Sequence, residues 1–319
     1  MPKSKFLFID WISPEYHNAF NDAFFNAIKA KDEEVIFFNN KCELKNQNVS
    51  YIIDSNNGRL ARMFSVLKLV RKSKKPIFFL SYDWLFIIPL LFFKNSFYVF
   101  EHNTTPYKNE KIKLLIQKIF LKKLIRLAQF PQQKLRLDEI NQKAHFLGSP
   151  LQSFNDRNDL NSKEYILVPS DRISKDCIAI INEYSKKYNF LIRSSALRIA
   201  KINASNLDSS TSIVDWFDIQ NKHANIKSIF IATDDSIRGS GWFNEAISRG
   251  IPILFLKKNM SEVFSRTFPG YNYKLIQSVK DFDIAIKDLK ILNSSESRLI
   301  IESFNNDFQK RFNSITSIL

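Results

Sequence analysis

Hydrophobic residues along the chain fall into short, nearly continuous runs separated by stretches of helical period. The apolar runs at 5–12, 34–38, 49–54, 76–81 and 96–101 read as strands. Between them, 15–30 and 58–72 repeat apolar residues at helical spacing, and 84–93 reads as a short apolar helix. Ser13 is placed to cap the 15–30 helix, with Pro14 in its first turn. The rhythm restarts with a strand at 165–169, a helix at 175–188 and a strand at 189–193. Strands at 213–217 and 228–232, a short helix around Glu245 and a strand at 253–256 follow, and 281–319 is helical by period. Alternation at this spacing predicts parallel sheets with helices on both faces.

The segment 151–164 is polar, lacks periodicity and reads as a linker. The expected fold is therefore α/β, with two Rossmann-like parallel-sheet domains at 1–150 and 165–300 facing a central cleft. A C-terminal helix at 301–319 is expected to cross back onto the N-terminal domain. The stretch 77–93 has Asp83 as its one charge and lies at the low edge of a bilayer span. Ser81-Tyr82-Asp83 punctuates it and Pro89 interrupts it, so a buried strand followed by a buried helix is the better reading.

Composition narrows this only modestly. At 319 residues and 45% hydrophobic content the chain can bury one large core or two ordinary ones, and 6 glycines exclude a collagen-like or linker-like protein. Cys42 and Cys177 lie far apart with no metal spacing, which argues against a disulfide framework and for a reducing compartment. Lys3 and Lys5 precede an apolar run, but Asp10 breaks it too early for a secretory core.

Charge changes the picture more. A net +15 favours an anionic partner: nucleic acid, a phospholipid surface or a phosphorylated substrate. Residues 108–127 carry Lys108, Lys111, Lys113, Lys118, Lys122, Lys123 and Arg126 against Glu110, interleaved with Ile112, Leu115, Ile116, Ile119, Phe120 and Leu124. That pattern predicts a basic amphipathic helix suited to an anionic membrane surface, or equally a solvated charged face over a packed stripe.

The candidate chemistry centres on 239–252, between the strands at 228–232 and 253–256. Gly239, Ser240, Gly241 and Trp242 form a glycine-rich turn into a helix, where free backbone N–H groups can hold a phosphate. Glu245 follows one turn later, within reach of ribose hydroxyls. The implied ligand is a sugar nucleotide.

Several stretches carry a family likeness. Ser81-Tyr82-Asp83-Trp84, the strand ending Glu101-His102-Asn103, the run Val168-Pro169-Ser170-Asp171-Arg172 and above all Asn244 to Ile253 resemble the retaining family 4 glycosyltransferases of the GT-B fold. The resemblance implies metal-independent transfer from a nucleotide-sugar donor with retention of configuration, and no cofactor. His102 would contact the transferred sugar, while Arg172 and Lys175 would offset the leaving phosphate's charge. Gly239, Ser240, Gly241, Trp242 and Glu245 would bind the donor; Glu15 and His17, in the first strand–helix loop, would border the acceptor. The chain departs from the family at three places. Ile237 stands where an acid is usual, Cys177 where a lysine is usual, and Ser13-Pro14-Glu15 where a glycine loop is usual.

The expected function is sugar transfer to a glycan or lipid-linked acceptor in bacterial surface polysaccharide or lipopolysaccharide synthesis. The protein would be cytoplasmic and peripheral on the inner face of the membrane, held by the 108–127 helix. Two other readings stay open. One is a nucleic-acid-binding α/β protein, which the charge and the aromatic residues motivate, although nucleic acid is not the expected partner because no binding signature appears. The other is a catalytically silent GT-B partner subunit, motivated by Ile237.

Overall fold

The computed structural model describes residues 6–13, 17–54, 58–102, 105–152, 164–169, 173–194, 211–214, 226–233, 241–290 and 292–317. They form two compact units. The first comprises Met1–Gln152 and Glu302–Leu319, the second Ser153–Ile301.

The first unit is built on seven parallel strands, β1 (Leu7–Asp10), β2 (Glu33–Phe37), β3 (Val49–Ile53), β4 (Ile77–Ser81), β5 (Phe97–Glu101), β6 (Leu124–Ala128) and β7 (Ala144–Phe146), in the order β3-β2-β1-β4-β5-β6-β7. Central strands of such a sheet are covered on both faces, and β4 and β5 are correspondingly buried along their whole length. Register pairs Phe8 with Phe78 and Phe78 with Tyr98. One face packs phenylalanine on phenylalanine: Phe8 meets Phe25 of α1 (Asn18–Ala27) edge-on at 5.2 Å. Phe308, Phe312 and Ile315 close that layer from the last helix. The other face packs Ile9, Trp11, Phe79 and Leu121 under Val66 and Val70 of α2 (Arg59–Lys72).

The second unit has six parallel strands, β8 (Tyr165–Val168), β9 (Asn189–Arg193), β10 (Ser212–Val214), β11 (Ile226–Ile231), β12 (Ile253–Phe255) and β13 (Tyr273–Leu275), in the order β10-β9-β8-β11-β12-β13. Its core joins Ile166, Phe190, Phe230 and Leu254 to Phe282.

Most expected elements are present, and the exceptions have physical reasons. The helix expected over 108–127 is α3 (Lys111–Phe120) followed by a 3-10 turn, and then the chain becomes β6. The run Leu124-Ile125-Arg126-Leu127-Ala128 is a buried strand whose one charge, Arg126, is matched inside the protein, so the basic pattern disguised it. The helix expected at 84–93 is a turn and a 3-10 segment, Ile88–Phe92, consistent with Pro89 near its start. Ser13 does not cap α1. It adopts φ 45°, its hydroxyl bonds the Asp10 carbonyl, and the same oxygen accepts from the Phe38 amide at 2.9 Å, tying β1 to β2. Reading by period missed α4 (Pro131–Glu139) and β7 in the first unit, and α7 (Lys258–Thr267) and β13 in the second. The helical tail divides into α8 (Asp281–Lys287) and α9 (Ser294–Thr316), and the second part of α9 belongs to the first unit. There the Asn305 amide exchanges two 2.9 Å hydrogen bonds with the Leu151 backbone. The expected linker falls largely on 153–163, outside the described residues.

Candidate functional site

In a sheet ordered this way, the strand order reverses at β1 and β4, and ligands of open α/β sheets bind where the carboxyl ends of such strands diverge. Asp10 ends β1 there, fully buried. Its carboxylate accepts from the Ser13 amide at 3.2 Å, from Asn21 Nδ2 at 2.8 Å and from the Ser81 hydroxyl at the end of β4. His17, just before α1, brings Nδ1 to 3.6 Å from Asp10 Oδ2. Burial alone would raise the Asp10 pKa, but His17, Ser81 and Asn21 more than offset it and hold the carboxyl below its ordinary value. The group is an anion aimed at an imidazole.

His102, just after β5, packs against His17 with ring centroids 4.6 Å apart and planes tilted by 35°, and lies edge-on to Phe20 at 4.7 Å. Its Nε2 lies 2.8 Å from the Leu80 carbonyl, which can only accept, so Nε2 holds the proton and Nδ1 is the accepting nitrogen. Burial, reinforced by His17, pushes the His102 pKa down to about 3. At neutral pH this is an uncharged ring that can accept a hydrogen bond.

A buried polar frame holds the end of β5. Tyr82 O–H donates to Glu101 Oε1 at 2.6 Å, Arg126 Nε donates to the same oxygen at 2.5 Å, and Thr105 donates to Oε2 at 3.1 Å. Arg126 also donates to Gln117 Oε1 at 2.6 Å and to the Tyr82 oxygen at 3.2 Å. Burial would lower the pKa of Arg126, but Glu101 and Tyr82 outweigh it and keep the guanidinium charged. Gln133 of α4 donates to the carbonyls of Glu101 and His102, both at 3.2 Å. Sequence reasoning named His17 and His102 separately, and the structure brings them together. It missed the frame. Asp10 and Glu101 each end an apolar strand with a carboxylate, and that was the available signal.

In the second sheet the order reverses at β8 and β11. β8 leads toward α5 (Lys175–Tyr184) and β11 toward α6 (Trp242–Ser248), so the candidate donor residues follow the two strands of that switch point. Lys175 is the exposed first residue of α5, behind Ser174, whose hydroxyl accepts from the Cys177 amide at 3.2 Å. Cys177, standing where the family has lysine, is buried in the core. Gly241 precedes α6 with helical φ −56°, and a Cβ there would meet none of the described residues within 4 Å. Trp242 is half-buried, and Glu245 pairs with Arg249 one turn on at 2.6 Å. At the end of this helix Gly250 sits at φ +63°, and a Cβ there would come within 2.5 Å of Ser297 Oγ. Glu15, Arg172, Gly239, Ser240 and Ile237 lie outside the described residues.

Two parallel doubly wound sheets in one chain, with a last helix shared between the units, define the GT-B fold. Within that fold the chain is similar to HepE from Anabaena. The HepE structure in complex with UDP aligns at TM-score 0.67 and 10% identity over 99% of this chain and 100% of that one, and the UDP-glucose complex at TM-score 0.60 and 11% identity over 98% and 99%. The glycosyltransferase SnogD from Streptomyces nogalater aligns at TM-score 0.51 and 12% identity over 98% of each chain. No family model and no curated protein matches the sequence.

Proposed function

We propose that this protein transfers a sugar from a nucleotide-activated donor to a glycan or lipid-linked acceptor. The observation that carries the reading is the Asp10–His17–His102 arrangement at the first switch point of a GT-B fold. A transferable sugar needs an acceptor hydroxyl that loses its proton as the new bond forms. An imidazole backed by a buried carboxylate suits that step, since His17 takes the proton and Asp10 stabilises the resulting imidazolium. His102, neutral and fixed by Leu80, accepts a hydrogen bond from a sugar hydroxyl.

On the donor side, the amides at the start of α6 receive the diphosphate, and Arg172 and Lys175 offset the charge that develops on it. Glu245 receives ribose hydroxyls, exchanging part of its pairing with Arg249 for them. These cations and amides supply the electrostatic help that the step requires, so the reading invokes no metal and no cofactor. HepE was solved with UDP and UDP-glucose, which makes UDP the first donor base to test. The acceptor belongs to bacterial surface polysaccharide or lipopolysaccharide synthesis on the inner face of the cytoplasmic membrane.

The family 4 likeness implies retention. The His17–Asp10 pair favours a second reading, because a general base acting on the acceptor suits direct displacement with inversion. The anomeric configuration of the product separates the two.

The test is a thermal-shift series with UDP, GDP, ADP, dTDP and CMP on wild type and Glu245→Ala, followed by turnover of the matching nucleotide sugars by wild type and His17→Ala. Stabilisation by one nucleotide that weakens in Glu245→Ala, with turnover that disappears in His17→Ala, supports the reading. No stabilisation at millimolar nucleotide overturns it. Binding without turnover or donor hydrolysis replaces it with a silent partner subunit.

A further inference from the structure

The apolar residues of α3 point the wrong way for a core helix. Its one buried residue is Gln117, which serves Arg126, whereas Leu115 and Ile119 are exposed and Ile112 is 77% exposed. Of the stripe that spacing allowed to be a packed face, Ile112, Leu115, Ile119 and Phe120 are therefore turned to solvent, while Ile116 is half-buried and Leu124 is buried in β6. α3 is not alone in this. α2, the 3-10 segment Ile88–Phe92 and the 3-10 turn after α3 adjoin one another in a single layer over the same face of the first sheet. Phe92 is 87% exposed in that layer, Phe64 is 64% exposed, and Leu60 is exposed one helical turn before Phe64.

The same layer holds most of the protein's charge. Residues 58–94 and 108–123 contain fourteen lysines and arginines against Asp83 and Glu110, which amounts to twelve of the +15 net charges. Both acids are ion-paired within the layer, Asp83 with Arg59 and Glu110 with Lys113. Arg126, which sequence assigned to this basic face, is not part of it. The loss is more than made up by α2 and the residues after it, where 58–75 hold Arg59, Arg62, Lys68, Arg71, Lys72, Lys74 and Lys75 and no acid.

We infer that this layer, α2 through α3, is a docking face for an anionic phospholipid bilayer, with Leu60, Phe64, Phe92, Ile112, Leu115 and Ile119 entering the lipid and the surrounding lysines and arginines meeting the headgroups. Three features choose lipid over other anionic partners. The exposed apolar residues are mostly aliphatic, and aliphatic side chains do not stack on bases as single-strand binding requires. Protein interfaces are depleted in lysine, which dominates here. Apolar residues flanked by a broad basic surplus are the composition of interfacial membrane segments. Among the described residues no helix is long and apolar enough to cross a membrane. The face also reaches the candidate site: Arg62 Nη1 donates to the Ile12 carbonyl at 2.8 Å, in the turn that follows Asp10. A bilayer on this face would lie beside the acceptor side of the first unit, which fits a lipid-linked acceptor.

The inference stands on the surface itself and is read without nucleotide, so its failure is distinguishable from failure of the sugar-transfer reading. The experiment is co-sedimentation of the full chain with vesicles of phosphatidylcholine, with or without phosphatidylglycerol, at low and high salt. One variant is Phe92→Ser/Ile112→Ser/Leu115→Ser, another is Lys111→Glu/Lys118→Glu/Lys122→Glu, and the control is Leu135→Ser/Ile284→Ser, exposed apolar residues elsewhere. Unchanged melting temperatures establish that each variant folds. Wild type and control are expected to bind only the anionic vesicles, and each of the other variants to bind about tenfold more weakly or worse. Absence of binding to anionic vesicles overturns the inference. So does binding that the serine variant leaves intact, or single-stranded oligonucleotide binding tighter than vesicle binding.

Discussion

At the first switch point Asp10 is fully buried, receives three hydrogen bonds and faces a histidine whose ring packs against a second histidine. At the second, the described part of the turn into α6 offers a solvent-touched ion pair, Glu245–Arg249, and a glycine whose missing Cβ meets none of the described residues within 4 Å. Both units use the same sheet plan, yet the described strand ends of the first carry buried, hydrogen-bonded side chains, whereas the described start of α6 in the second carries a part-exposed ion pair and a glycine. The difference suits the two kinds of chemistry. Proton transfer needs a base held at fixed distance and tautomer, whereas a diphosphate is held well by amides that ask only for access. Mutations should therefore separate the units. Changes in the first should cost stability along with chemistry, and changes at the α6 turn should affect ligand alone.

The largest expected effect is at Arg126. Replacing it by Met leaves Glu101 buried without its cation, which costs about 3–5 kcal/mol in urea unfolding. The double change Arg126→Met/Glu101→Gln should recover part of that loss, since the stranded charge is gone. A small loss in the single variant would mean that the frame around His102 is less critical than its burial indicates.

Gly250 comes next, and it marks the place where the second unit is not tolerant. A Cβ at φ +63°, running into Ser297 Oγ, should cost Gly250→Ala about 2–3 kcal/mol. Adding Ser297→Ala should return the share due to Ser297 Oγ and leave the left-handed backbone cost and the tight 3.2 Å approach to the Leu292 carbonyl, a split that a double-mutant cycle reads directly.

The pH response should come from the first unit. His102 has a folded pKa of about 3 against an ordinary value near 6.5. As pH falls below about 6.5 the unfolded chain takes up a proton that the folded chain refuses, so stability declines from there toward pH 3. Between pH 7 and pH 5 wild type should lose roughly 1–2 kcal/mol more than His102→Gln, which retains an N–H donor for Leu80. Equal losses would show that His102 titrates freely. Asp10, held low, acts in the same direction only below about pH 4, where its protonation removes a stabilising anion.

The strand rhythm was legible because fully buried parallel strands write themselves as apolar runs. β1, β2, β4, β5, β9 and β12 fall within a few residues of those runs. β6 was not legible, because a buried arginine looks like a surface arginine until its carboxylate is found on a neighbouring strand 25 residues away. β7 and β13, at sheet edges and three residues each, are too short to show a period. At the site, the histidines were visible as rare residues beside strand ends. Their pairing was not, since it depends on how the end of β5 and the start of α1 meet in space. For α3, spacing could identify an apolar stripe but not its direction, which the burial of Gln117 decides.

The smallest expected effect on stability is the sharpest test of the contrast between the units. Gly241 lies at a helical backbone angle with no atom of the described residues within 4 Å of its missing Cβ, so none of them demands glycine there. Gly241→Ala should leave unfolding free energy unchanged within about 0.5 kcal/mol, since its backbone angle is one alanine adopts without strain. If donor phosphate approaches the amides of this turn, the new methyl group occupies that approach, and the nucleotide-induced rise in melting temperature should shrink. His17→Ala should do the reverse, keeping the nucleotide shift while removing turnover. A Gly241→Ala protein that binds nucleotide as well as wild type would move the phosphate away from the α6 turn and leave Gly241 as an ordinary helix start, with the first unit alone retaining a defined chemical role.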